Sequence, residues 1–484
     1  MAKKHMGNKK KSEDKIKIQF IGATDEVTGS CTYIQVDGIN ILVDFGLIQN
    51  NELTIDQLYR LNSKELPLPM SKIDYVIILH SHYDHCSRLP ILSNSEFTGK
   101  IITTTLTAKL MNLILNDSAH IMNREVTRVN KKRTVKKLSP LYTKSDVEYI
   151  MTFVQGYDFN KEIILNNRTK ITLLPASHIS GAAMLYLEFQ ESEYVKKRIL
   201  VTSDTSGIDR DVPFTMKPDI EKLKVDLIVS ESTYGDREHD DINPEEQLEK
   251  CIRDTILDKK KTLIIPSFAM SRCTNIILML YNLFNKYKEF QDIELYLASP
   301  MSINAHKIIG EDESFDFYDK QWSQYKDLFK WDKIQMIDDF EIVQTKLIND
   351  TPKLIISASG MCDNGFVKYI ISKYLHIKDN KILISGYQSN GSLGRKLIDG
   401  ITKTVTIDGI AVPIKADIEM LKKMSSHASK SELVNLLKTV EKKKVKKIAL
   451  VHGQKEAKES LREALKKEFD CEIIIPYENM IIKI

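Results

Sequence analysis

The stretch "ILHSHYDHCSRLP", residues 78–90, puts three of the chain's eleven histidines and one aspartate into six consecutive positions, His80-Ser81-His82-Tyr83-Asp84-His85. It follows the apolar run 75–79, which reads as a short buried strand. His and Asp are common in polar loops after strands. So dense a set of neutral imidazoles and carboxylate, however, is the donor chemistry that holds zinc or a similar first-row metal.

The rest of the chain alternates strand-like and helix-like segments, which argues for α/β layers. "KIKIQFIG" and "CTYIQVDGINILVDFG" read as short strands joined by turns, with Asp37-Gly38 as a hairpin signal. "TAKLMNLILNDSAHIM" has helical periodicity. Six β-rich runs each deliver a His, Asp or Glu at or just past their carboxyl end: Asp44, His80, His178, Asp204, Glu231 and His452. Any one of these could be a turn residue. Together they describe a site, because ligands of open α/β sheets gather beyond the carboxyl ends of strands.

At 484 residues the chain exceeds one ordinary core, so two or more domains are expected. No apolar run approaches the roughly 20 residues of a membrane helix. The start, "MAKKHMGNKKKSEDK", lacks the hydrophobic core of a secretory signal. The six cysteines (31, 86, 251, 273, 362 and 471) have no paired spacing, which fits free thiols in a reducing cytoplasm. Net charge is only +4, but residues 3–17 carry seven lysines against two acids, and residues 124–137 seven basic residues against one acid. The first run reads as a solvated arm. The second reads equally as a solvated helix face or a polyanion contact.

His80-x-His82-x-Asp84-His85 is the signature of the metallo-β-lactamase superfamily, which the chain resembles. "GATDEVTGSCTYI", "ESTYGDR", "PSFAMSR", "GYQSNGSLGRKL", "SSHAS" and "LVHG", in that order, resemble the β-CASP ribonucleases, the RNA-processing branch that includes the polyadenylation endonuclease subunit and its free-standing bacterial relatives. The resemblance implies a metallo-β-lactamase αββα sandwich with an inserted β-CASP α/β domain. It divides the chain into a basic arm (1–15), a first lactamase part (16–206), the insertion (207–395) and a second lactamase part (396–484). The active site is expected in the cleft between sandwich and insertion. The extra C-terminal domain of RNase J is not expected.

Carried over residue by residue, the resemblance implies two zinc ions, with manganese as the alternative metal. One takes His80, His82 and His178, the other Asp84, His85 and His452, and Asp204 bridges them. A shared hydroxide would then attack phosphorus. Asp44 is expected to orient a ligand histidine rather than bind metal. Glu231 and His427 match motifs peculiar to the β-CASP branch, His427 as a general acid held by Glu231. Ser429-x-x-Glu432 reads as a capping box, which puts His427 just before a helix N-terminus. Arg272, Ser425 and Ser426 are expected to contact substrate, Arg272 having an interdomain ion pair as its other reading. The implied substrate is single-stranded RNA, cut endonucleolytically with 5′-exonuclease action also open. His452, where DNA-processing relatives carry valine, favours RNA. Some relatives are dimers, which leaves a homodimer open. A thioesterase or lactamase would share the first cluster but lack Glu231 and His427, and a non-catalytic RNA-binding subunit would have lost metal ligands.

Overall fold

The computed structural model describes residues 16–50, 52–131, 133, 137–312 and 320–484. The basic arm 1–15 and part of the second basic run (132 and 134–136) lie outside the described residues.

Two seven-stranded sheets form the centre. In the first the strands lie in the order Ile481–Lys483, Ile16–Gly22, Cys31–Val36, Ile39–Val43, Tyr75–Ile77, Lys100–Thr104 and Val154–Tyr157. In the second the order is Glu472–Ile474, Lys447–Leu450, Leu227–Ser230, Lys196–Val201, Ala183–Gln190, Thr169–Pro175 and Glu162–Ile164. Side chains alternate across each strand. Ile39, Ile41 and Val43 therefore join Ile171, Leu185, Ile199 and Val229 in the core between the sheets, while Leu42 faces the outer layer. Asp37 (φ 51) and Gly38 (φ 80) both turn left-handed, as the two-residue hairpin between Cys31–Val36 and Ile39–Val43 demands.

Helix Thr105–Asn130, capped by the Thr104 hydroxyl, covers the outside of the first sheet with Leu106, Leu110, Met111 and Ile114. Helices Lys430–Leu437 and Lys455–Leu465 cover the second through Leu433, Leu436, Leu461 and Leu465. This is an αββα sandwich.

A third sheet has six strands, parallel throughout: Ile334–Ile337, Glu294–Ala298, Lys353–Ser357, Leu263–Pro266, Lys381–Ile384 and Asp417–Met420. Its four inner strands are nearly continuous apolar runs, as expected where both faces are covered, while the two edge strands are partly exposed. Its helix Arg272–Lys286 shares one core with the sandwich helix Thr105–Asn130.

Sheet membership differs from the boundaries expected for the insertion. Strand Leu227–Ser230, within 207–395, pairs in parallel with Lys196–Val201 and Lys447–Leu450 inside the sandwich. Strand Asp417–Met420, beyond 395, pairs with Lys381–Ile384 in the third sheet. The strands of the third sheet thus run from residue 263 to residue 420.

Candidate metal centre and general acid

Strands Ile39–Val43, Tyr75–Ile77, Thr169–Pro175, Lys196–Val201, Leu227–Ser230 and Lys447–Leu450 end on one edge of the sandwich. Several chains leave that edge through left-handed non-glycine residues: Asp44 (φ 60), Ser177 (φ 59), Ser203 (φ 50) and His452 (φ 50). Such backbone is costly and persists where the surroundings over-determine it. Here it swings His178 and Asp204 into the space between the sheets.

The ring nitrogens meet there at close range. His80 Nε2 lies 3.0 Å from His82 Nδ1, and His178 Nε2 lies 3.3 Å from the same atom. His85 Nε2 lies 3.3 Å from His452 Nε2, and Asp84 Oδ2 lies 3.4 Å from His452 Nε2. Asp204 Oδ2 stands between the two groups, 3.5 Å from His80 Nε2, 3.4 Å from His85 Nε2 and 3.7 Å from His178 Nε2. A tetrahedral zinc with metal–nitrogen distances near 2.05 Å has donor atoms about 3.3 Å apart. His80, His82, His178 and Asp204 form one such cluster, and Asp84, His85 and His452 another. Asp204 Oδ1 is buried and accepts no hydrogen bond, although His452 Nδ1 lies 3.3 Å away.

The far nitrogens of four of these rings are engaged, which fixes the inward ones. His85 Nδ1 donates to Asp44 Oδ2 (2.7 Å), while Asp44 Oδ1 accepts from the Leu79 amide (2.8 Å). His178 Nδ1 donates to the Ser426 carbonyl (3.2 Å). Thr233 Oγ1 lies 3.0 Å from His452 Nδ1, and Ser203 Oγ lies 3.4 Å from His80 Nδ1. Burial holds His80 and His178 well below the ordinary imidazole range and brings His82 down to about 4. These three are neutral and present lone pairs, while neighbouring histidines keep Asp204 ionised despite its burial. His85 shifts the other way: despite its burial, Asp204, Asp44 and Asp84 push its pKa well up. Three lone-pair nitrogens beside an ionised carboxylate fit a divalent cation.

The loop that carries Asp84 packs against Gly46. A Cβ there would lie 1.6 Å from the Asp84 carbonyl oxygen. Tyr83, between two donors, is tied to helix Thr105–Asn130 by a 2.6 Å hydrogen bond to Asp117.

A third cluster shares Asp204. His427 Nδ1 donates to Glu231 Oε2 (3.0 Å), and His427 Nε2 lies 3.9 Å from Asp204 Oδ2. Glu231 is itself held by the amides of Thr205 (2.8 Å) and Thr233 (3.3 Å). Burial lowers the His427 pKa, but Glu231 and Asp204 more than offset it and take it up to about 9. Helix Lys430–Leu437 begins three residues beyond, and Ser429 and Glu432 form the expected capping box.

The residues expected to contact substrate have internal partners. Ser425 Oγ accepts from the His427 amide (3.2 Å), and Ser426 is buried with its carbonyl on His178. Arg272, partly buried, donates through Nη1 to the Ser385 carbonyl, while its Nε has no hydrogen-bond partner. Burial lowers its pKa to about 10. Sequence reasoning missed His239 and Arg210, whose Nε2 and Nη1 hold the His427 carbonyl at 2.9 and 3.3 Å. The only signal would have been a further histidine just after "ESTYGDR".

The αββα sandwich with these donors at its strand ends is the framework of a metal-dependent hydrolase. Three family models match in succession: the metallo-beta-lactamase superfamily over residues 24–145, the Beta-Casp domain over 273–397, and the Zn-dependent metallo-hydrolase RNA specificity domain over 411–476. The chain belongs to the β-CASP family of the metallo-β-lactamase superfamily. It is 28% identical over 472 residues to "Probable RNase MJ4" of Methanocaldococcus jannaschii, covering 94% of this chain and 97% of that one. It is 24% identical over 449 residues to "Ribonuclease TTHA0252" of Thermus thermophilus, covering 91% and 94%. Against "Cleavage and polyadenylation specificity factor 73" of Drosophila melanogaster, identity is 25% over 478 residues, covering 95% of this chain and 63% of the longer relative. A crystal structure of a protein of unknown function from Enterococcus faecalis V583 superposes over 97% of this chain and 100% of its own, with a TM-score of 0.55 at 13% identity, a likeness of fold alone.

Proposed function

We propose that the chain is a ribonuclease that hydrolyses phosphodiester bonds within single-stranded RNA, using two divalent cations, zinc before manganese. His80, His82 and His178 hold one ion, Asp84, His85 and His452 the other, and Asp204 serves both. When bound, two such ions supply a water activated near neutral pH and neutralise charge on the phosphoryl oxygens. Asp44 keeps the His85 proton on Nδ1, so that Nε2 faces the cation. Glu231 holds His427 as an imidazolium, which delivers a proton to the departing ribose 3′ oxygen. Arg272, Ser425 and Ser426 border the path of the substrate phosphates. We place the enzyme in the cytoplasm. No helix among the described residues is long and apolar enough to cross a membrane.

The observation that carries this reading is the Glu231–His427 pair against Asp204. A charged imidazole beside a cation cluster is of use when the leaving group is a poor alkoxide that needs a proton, as in phosphodiester hydrolysis. The test is an end-labelled single-stranded RNA, run beside a thioester and a β-lactam. Products with 5′-phosphate and 3′-hydroxyl ends are expected, with neither other substrate turned over. A 2′,3′-cyclic phosphate would overturn the mechanism, because it makes the substrate's own hydroxyl the nucleophile.

A further inference from the structure

The backbone of His427 is held by more donors than a loop carbonyl needs. The peptide that joins it to Ala428 is pinned at both ends. The Ala428 amide donates to the Thr205 carbonyl (2.7 Å). The His427 carbonyl meets His239 Nε2 at 2.9 Å and Arg210 Nη1 at 3.3 Å, side chains brought from two separate segments. These side chains are only 12% and 16% exposed. A single backbone amide would satisfy that oxygen. Burying an imidazole and a guanidinium to do so carries a desolvation cost that a plain turn avoids.

The proton of His239 is placed for this contact. Two oxygens face its Nε2, the His427 carbonyl and Glu432 Oε2 at 3.4 Å, so the N–H belongs on that nitrogen. Arg210 Nη1 lies 2.9 Å from the same nitrogen and turns its own N–H to the carbonyl. The segment that carries His239 is fastened in turn. The Lys430 amide donates to the Arg237 carbonyl (3.0 Å), and Glu238 accepts from the Ser431 amide (3.2 Å) and hydroxyl (2.6 Å). Residues 237–239 therefore brace the start of helix Lys430–Leu437, and the last contact of the brace falls on His427.

From this fixed backbone the imidazole reaches Glu231 through Nδ1 (3.0 Å), which leaves Nε2 facing Asp204 at 3.9 Å. One side-chain hydrogen bond aims a ring but does not fix the Cα from which it swings. Thr205 ties the two holds together, since its carbonyl takes the Ala428 amide and its own amide donates to Glu231 (2.8 Å). Where the 427–428 peptide lies thus decides where Nε2 lies. A misplacement of about 1 Å at a reacting group costs on the order of 100-fold in rate.

We propose that His239 is a positioning residue for the general acid: it fixes the His427 carbonyl so that His427 Nε2 meets the departing 3′ oxygen. The inference rests on the reading of His427 as the general acid of a ribonuclease.

The test uses the full chain with metal bound, single-stranded RNA, and two substitutions close in size to the imidazole. In His239→Gln the amide nitrogen reaches the place of Nε2 and still donates. In His239→Asn the side chain is one carbon shorter and falls short of the carbonyl. His239→Asn should lower kcat by about 10-fold to 100-fold, and by no more than His427→Ala does. KM, metal content and melting temperature should stay close to the parent's. His239→Gln should keep most of the parent rate. On a substrate with a 3′-bridging sulfur, which leaves without a proton, His239→Asn and the parent should cleave nearly alike. In a His427→Ala background His239→Asn should cost nothing further, because both act through the same proton. A parent-like kcat in His239→Asn overturns the positioning role, as do equal losses in the two variants. So does a loss that persists on the sulfur substrate or in the His427→Ala background. Each of these leaves the ribonuclease reading standing. A parent protein that cleaves no RNA, or a His427→Ala variant as fast as the parent, overturns the reading beneath it.

Discussion

Asp44→Asn isolates one hydrogen bond. The substitution keeps the shape of the side chain, and asparagine tolerates the left-handed backbone at this position (φ 60). Alanine would add a backbone cost of about 1–2 kcal/mol and blur the result. In the parent, Asp44 accepts twice, from His85 Nδ1 at 2.7 Å and from the Leu79 amide at 2.8 Å. The two donors sit on different oxygens, and an amide has only one accepting oxygen. With its oxygen on Leu79, its NH2 opposes His85 Nδ1–H, and the imidazole shifts its proton to Nε2, where it blocks a cation. With its oxygen on His85, a buried amide opposes the Leu79 N–H, a conflict worth about 1–3 kcal/mol. Loss of such an orienting partner lowers metal affinity by about 10-fold to 100-fold, or roughly 1.4–2.7 kcal/mol. The assay is retained metal per chain after equilibration against graded chelator, read by elemental analysis. Half-loss is expected at a chelator activity lower by that factor. The ion held with Asp84 and His452 should leave first, because His85 belongs to that set. The melting temperature of metal-free protein should fall by no more than a few degrees. Parent-like retention, or equal loss of both ions, would refute the assignment of Asp44 as the group that aims His85.

His427→Ala should slow RNA cleavage by about 100-fold to 10,000-fold with metal content intact, and a substrate with a 3′-bridging sulfur, which leaves without a proton, should recover most of that rate. Because Glu231 and Asp204 outweigh burial and lift His427 to about 9, the acid form is present below that pH and lost above it, so the alkaline limb of kcat/KM should fall near pH 9. Glu231→Gln should move that limb to lower pH, and a limb that stays put would assign the alkaline loss to another group. Gly46→Ala should cost about 1–3 kcal/mol or more, since its Cβ would lie 1.6 Å from the Asp84 carbonyl oxygen, and it should also weaken retention of the ion beside Asp84, both checked by thermal denaturation with metal analysis.

What the sequence disclosed depended on whether the signal was local. The donors His80 to His85 sit in one turn and need no knowledge of the fold to be read. The Ser429–Glu432 capping box is a contact between residues three apart and is present as expected. Apolar runs such as "RILV" and "KIAL" become strands Lys196–Val201 and Lys447–Leu450, because three buried β-rich residues in a row suffice to define each. The same shortness hides pairing. Leu227–Ser230 is four fully buried residues, equally at home in either sheet, and its partner Lys447–Leu450 lies some 220 positions away. Asp417–Met420 reads "DIEM", partly exposed at a sheet edge, an alternation only four residues long and too short to announce it. Both boundary differences of the insertion come from these two strands.

The candidate site shows the same division in sharper form. Each strand-end donor could be named from its own segment, but what positions it belongs to another segment. Ser426 orients His178 through its carbonyl, across 248 positions, a contact available to any residue type and so silent in a sequence. Thr233 reaches His452 across 219, and His239 reaches the His427 carbonyl across 188. Glu231 is the instructive case. As the end of "DLIVSE" it looks like one more acidic donor, and it does lie within reach of Asp204 in a cluster that could hold an ion. What sets it apart is that its oxygens are already committed to two amides and to His427 Nδ1. Those bonds leave it better placed to charge an imidazole than to bind a third cation.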